Sequence, residues 1–110
     1  MQIQINTDNN IKVHKAFAVQ INDVVESALN RLNDTITRVE IHLSDENGEK
    51  SGQDDKRCVM EARLEGRQPI AVTHNAATVD QAVNGAAEKL VRLIEGILGR
   101  QQDQKSQSHK

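Results

Sequence analysis

Residues 78–93 read Thr78-Val-Asp-Gln-Ala-Val-Asn-Gly-Ala-Ala-Glu-Lys-Leu-Val-Arg-Leu93. Val79, Ala82, Val83, Ala86, Leu90 and Leu93, continued by Ile94 and Ile97, recur three or four positions apart. That spacing places them on one stripe of an α-helix. Gln81, Asn84, Glu88, Lys89, Arg92, Glu95 and Arg100 fall on the remaining surface, near solvent. Thr78 is placed to cap the helix, and Asp80 lies near the positive end of its dipole. A helix with one apolar stripe has to cover an apolar surface, and the residues before it supply one.

Upstream, Cys58, Met60, Ala62 and Leu64 alternate with polar residues, and Ile70 and Val72 repeat the pattern. Both runs predict half-buried strands. Gly66 and Arg67 lie between them as a short hairpin in which glycine can take a positive φ. Pro69 cannot donate a ladder hydrogen bond, so the last strand belongs at a sheet edge. Arg38 to Leu43 alternates as well, with Val39, Ile41 and Leu43 facing inward. Gln2 to Asn6 forms a first strand with Ile3 and Ile5 on one face. From Lys15 to about Asn33, Phe17, Ile21, Val24, Val25, Ala28 and Leu32 make a second helical stripe. A helix between the first two strands implies a right-handed crossover and a parallel pair. The resulting fold class is α+β, with order β-α-β-β-β-α and a four-stranded sheet carrying both helices on one face. Residues 1–98 form the single domain, and 99–110 are polar and expected to be a disordered tail.

Charges on the open face predict how the second and third strands align. With Leu43 opposite Met60, Glu40 meets Arg63, His42 meets Glu61 and Arg38 meets Glu65. A shift by two residues sets Glu40 against Glu61 and Arg38 against Arg63. Opposite charges across strands are worth roughly 0.2–1 kcal/mol per pair and like charges cost a similar amount, which favours the first alignment.

The chain has 110 residues, 14 basic and 16 acidic side chains, one Phe, no Trp or Tyr and one cysteine. One core of Val, Ile, Leu and Ala follows, and an internal disulfide is excluded. No apolar run is long enough to span a membrane, and MQIQINTDNN has neither the basic nor the apolar part of a signal peptide, so a cytoplasmic location is expected. A sheet face without Phe or Tyr excludes reading of single-stranded RNA by stacking. Shape recognition through helix faces and loops remains. By segment, only the stretch from Arg100 has a basic excess, with three basic residues and one acidic. The balance therefore gives no general attraction for phosphate, and placement of individual cations decides.

Catalytic and metal chemistry have little to rest on. His14, His42, His74 and His109 are scattered, and Cys58 points into the core as a small apolar group. A metal site of His42, Cys58 and His74 would need His42 on the other sheet face. Glu61 and Glu65 lie on the exposed face beside arginines, which keeps them ionised rather than tuned for acid catalysis. No phosphate loop or nucleophile elbow occurs. The chain reads as a non-enzyme with no cofactor, no small-molecule substrate and no membrane partner. Residues 45–57, DENGEKSGQDDKR, contain Gly48, Gly52 and eight charged side chains. They read as a long solvated loop in which Lys50, Lys56 and Arg57 can engage phosphates.

The run Ala82, Val83, Asn84, Glu88, Lys89, Leu90 and Arg92, together with the order of elements over residues 1 to about 98, resembles the ribosome hibernation-promoting and ribosome-associated inhibitor family. The chain is similar to its short members, which lack a further dimerisation domain. The resemblance implies a partner, the small ribosomal subunit with its 16S rRNA. It also implies a function, occupancy near the decoding region that excludes messenger and transfer RNA when growth slows. Basic residues of the last helix face ribosomal RNA in the family, and Lys89 and Arg92 fill matching positions. Lys12, Lys15, Arg31, Lys56 and Arg57 complete the candidate phosphate contacts. Arg31 and Lys15 stand beside Asp23, Glu26 and Asp34 on the first helix. The rival reading is a protein–protein interaction module that kept the fold and lost the RNA surface.

Overall fold

The computed structural model describes residues 1–8, 11, 14–45 and 55–107, with side chains described only as far as residue 99. Strand β1 (Gln2–Thr7) is followed by helix α1 (Lys15–Leu29), a 3-10 turn (Asn30–Leu32), strands β2 (Ile36–Asp45), β3 (Lys56–Leu64) and β4 (Ile70–Ala76), and helix α2 (Val79–Gln107). The sheet order is β1-β2-β3-β4. β1 runs parallel to β2, while β2–β3 and β3–β4 are antiparallel. As the strand patterns predict, β4 is an edge, and Gly66 takes a φ of 72° in the hairpin before it.

The core lies between the sheet and the helices. Val39, Ile41 and Leu43 of β2 and Cys58, Met60, Ala62 and Leu64 of β3 are buried with Ile21, Val25 and Leu29 of α1 and Ala82, Val83, Ala86, Leu90 and Ile94 of α2. Two further α2 residues, Ala87 and Val91, are also buried, although the sheet-facing stripe omits them. Val91 shares a groove with Ala28 of α1, so this flank of α2 is covered by the other helix. α1 ends earlier than its apolar stripe suggests. Asn30 and Asn33 are poor helix formers, and bonds from Asn33 N to Asn30 O (3.1 Å) and from Thr35 N to Leu32 O (2.9 Å) tighten the exit into turns.

The β2–β3 alignment is the one the open-face charges disfavour. Arg38 lies opposite Arg63, Glu40 opposite Glu61, and Ile41, rather than Leu43, opposite Met60. Both alignments keep the same residues in the core, since a shift of two residues preserves the faces. The difference appears at the end of the ladder, where the observed alignment sets Asp45 opposite Lys56. Their side chains are 3.0 Å apart and Asp45 is only 7% exposed. A buried carboxylate without a cation is costlier than two like-charge pairs on the half-buried to exposed open face. The open face adapts: Arg38 turns to Glu40 of its own strand at 2.9 Å and to the amide oxygen of Gln4 on β1. β2 also begins two residues early. A bulge between Ile36 and Arg38 changes the alternation, so Ile36 and Val39 both point inward, three positions apart.

The expected loop at 45–57 is shorter at both ends, because Asp45 belongs to β2 and Lys56 and Arg57 to β3. Lys50 and the rest of 46–54 lie outside the described residues. The stretch 99–107, expected to be a disordered tail, is helical as the end of α2. It contains no proline, and Arg, Gln and Lys favour a helix even where no apolar stripe remains. Residues 108–110 lie outside the described ones.

Candidate nucleic-acid interface

α2 starts at a formed cap: the Thr78 hydroxyl accepts from Gln81 N at 3.1 Å and the Thr78 carbonyl from Ala82 N at 3.0 Å. Two turns on, Gly85 lies over β4. A Cβ there would fall inside contact distance of Cδ2 and Nε2 of His74, so the missing side chain is what lets the His74 ring lie under the helix. This close seating carries Lys89 to the sheet edge, where its Nζ donates to Thr73 O at 2.8 Å. Lys89 therefore covers an outward carbonyl of the edge strand.

One turn further, Arg92 is exposed in the groove between the helices, lined also by Ala28, Arg31, Glu88, Val91 and Glu95. Arg31 Nη2 lies 3.4 Å from Glu95 Oε1, tying the 3-10 turn after α1 to α2. Both partners are largely exposed, so the pair has little energetic weight and yields readily to another anion. Arg31 and Arg92 are thus the two candidate cations that the fold brings into one groove. The neighbouring outer face of α1 is acidic, with Asp23 and Glu26 beside Ser27 and Asn30.

At the far end of the sheet, Lys56 is turned onto carboxylates. Its Nζ lies 3.0 Å from Asp45 Oδ2 and 3.1 Å from Asp55 Oδ1, and Asp55 is 5% exposed. Hydrogen bonds to Asp45 and then Asp55 raise its pKa above the ordinary lysine value, so it is cationic throughout the physiological range. Asp45 N in turn donates to Asp8 Oδ2 at 3.2 Å, and Asp8 N to Leu43 O at 3.0 Å. Arg57, the next residue, is exposed on the open face opposite Ser44 and Asn75. Lys15 is exposed at the first position of α1, and Lys12 lies outside the described residues.

The candidates therefore form no single patch. Lys89, Arg92 and Arg31 belong to the α2 side, Lys56 and Arg57 to the end of the β2–β3 ladder, and Lys15 to the start of α1. The ion cluster of Asp8, Asp45, Asp55 and Lys56 is absent from the sequence reading. Its signal is the acidic residue on each side of 46–54, which a solvated-loop reading absorbs.

Glu40 lies between Arg38 and His42, the latter at 3.6 Å. Cys58 and His74 are neighbours across β3–β4 on the inner face, whereas His42 is exposed on the open one. Burial pushes the Cys58 thiol up to about 12, which makes it unreactive at neutral pH. Among the described residues no three His, Cys, Asp or Glu side chains are grouped to hold a metal, and no helix is long and apolar enough to cross a membrane.

A family model described as sigma 54 modulation protein / S30EA ribosomal protein matches residues 3–102. Among solved structures, a ribosomal subunit interface protein from Coxiella burnetii superposes with a TM-score of 0.69 at 17% identity, over 90% of this chain and 99% of its own. The N-terminal domain of Protein Y from Thermus thermophilus gives 0.64 at 22% identity, over 88% of this chain and 99% of its own. At these identities the likeness is one of fold. No curated protein sequence matches.

Proposed function

The chain belongs to the sigma 54 modulation protein / S30EA ribosomal protein family, and from that premise we propose that it is a ribosome-associated hibernation factor of the cytoplasm. It occupies the small subunit against 16S rRNA near the decoding region and keeps messenger and transfer RNA out. The observation that carries this reading is the family match across residues 3–102, which covers α1 to β4 in full and most of β1 and α2. It acts as a steric and electrostatic plug with no turnover and no cofactor.

Shape and separated cations supply the contacts. Arg92 ranks first, being exposed in the helix groove it shares with Arg31 and held by no ion pair among the described residues. Arg31 joins it by exchanging Glu95 for a phosphate, and Lys89 contributes by leaving Thr73 O. Arg57 and Lys15 add contacts at the other end, with Lys12 nearby in sequence. One observation favours a protein partner instead: Arg31, Lys56 and Lys89 already hold partners in the chain.

Co-sedimentation with 30S and 70S particles distinguishes the two. With about six phosphate contacts, affinity is expected to fall roughly 300- to 2,000-fold between about 50 and 200 mM salt. Lys89→Glu/Arg92→Glu is expected to abolish pelleting, and Arg92→Glu alone to weaken it. Failure to pellet at either salt sinks the reading, and binding indifferent to salt supports the protein-contact alternative.

A further inference from the structure

The Asp45–Lys56–Asp55 cluster joins four points that are distant in sequence. Asp8 is the residue after β1, Asp45 closes β2, Asp55 precedes β3 and Lys56 opens it. The bonds Asp45 N to Asp8 Oδ2, Lys56 Nζ to Asp45 Oδ2 and Lys56 Nζ to Asp55 Oδ1 run through all four. Two of the carboxylates are buried, and the one ammonium lies between them with its side chain 27% exposed. A cation held in this way is committed: releasing it to an outside phosphate would cost the buried carboxylates of Asp45 and Asp55 the ammonium they share.

We infer that Lys56 is a positioning residue, which fixes the end of the β2–β3 ladder and the exposed Arg57 next to it for binding, and is not itself a phosphate contact. The inference rests on the ribosome-binding reading for its functional part and on geometry alone for its structural part. Replacing Lys56 leaves two buried carboxylates without the ammonium that joins them, and their repulsion loosens the ladder next to Arg57. Lys56→Arg keeps the charge and retains the link.

The deciding measurement is ribosome affinity as a function of salt for wild type, Lys56→Met, Lys56→Arg and Asp55→Asn. Lys56→Met is expected to lower affinity about tenfold while the slope of log K against log salt stays the same, because Arg57 still reaches its phosphate but must first be ordered, with Lys56→Arg recovering most of the loss. Loss of a phosphate contact would instead reduce that slope by roughly 0.7–0.9 and overturn the inference. Asp55→Asn gives an opposite-sign test. Removing a negative charge near RNA strengthens binding if the local field is what matters, but weakens it if the carboxylate holds Lys56 in place. Tighter binding by Asp55→Asn overturns the inference. Should wild type fail to pellet, the functional reading falls separately, and hydrogen exchange on the free protein decides the structural part. Faster exchange at Leu43–Asp45 and Lys56–Cys58 in Lys56→Met is the expected result. Unchanged exchange there overturns it.

Discussion

Gly85 decides how closely α2 can sit on β4. In an exposed helix, Gly→Ala is ordinarily stabilising by about 1 kcal/mol, because alanine is the better helix former. Here the added methyl would enter the His74 ring, and overpacking of this kind costs roughly 1–3 kcal/mol. Gly85→Ala is therefore expected to lower the urea midpoint, and His74→Ala in the same background to restore it. A midpoint that rises in Gly85→Ala would show that the helix stands further from the sheet. The same seating brings Lys89 to Thr73 O, which no reading of the helix stripe reveals, since a helical wheel places Lys89 on the solvent side without saying what lies beside it. Thr78 was legible as a cap because capping is local; Lys89 was not, because its partner is 16 residues away.

Between elements, the β2–β3 ladder separates what alternation can tell from what it cannot. Alternation identifies Val39, Ile41, Leu43, Cys58, Met60, Ala62 and Leu64 as core, and all are buried. It does not choose between alignments two residues apart, since both satisfy that core. The open-face charges point to the wrong one because exposed pairs are worth little, whereas burial of Asp45 and Asp55 is a tertiary fact. The residual conflict can be removed by design. Glu61→Arg/Arg63→Glu would set Arg38 against a carboxylate and Glu40 against a guanidinium without moving the ladder. Thermal stability at low salt is expected to rise by roughly 1 kcal/mol, with the gain shrinking as salt is added. A fall in stability would mean that the two arginines and two glutamates are better arranged as they stand. Ile36 was illegible for a related reason: a bulge breaks the period of two on which the reading depends.

At the scale of the molecule, a net charge of -2 conceals an uneven distribution. The outer face of α1 presents Asp23 and Glu26, the groove between the helices presents Arg31 and Arg92 among glutamates, and the end of the β2–β3 ladder presents Arg57. The family resemblance pointed to the right fold; which of the candidate cations are already bonded needed the tertiary structure. The sheet topology has a further consequence, in time rather than in space. β2, β3 and β4 are joined by antiparallel neighbours close in sequence, but β1 reaches β2 only in parallel and across the whole of α1. Closing that longer connection costs chain entropy before any contact is gained, so β1 is the last strand to join. Pulse-labelled hydrogen exchange during refolding should protect Val39–Leu43 and Cys58–Leu64 before Ile3–Ile5. Early protection of β1 would reverse that order. A chain arrested before the last step would be a three-stranded meander whose β2 edge lies open to the first strand of another copy, so the parallel crossover is the point at which assembly of this fold is most exposed to exchange between molecules.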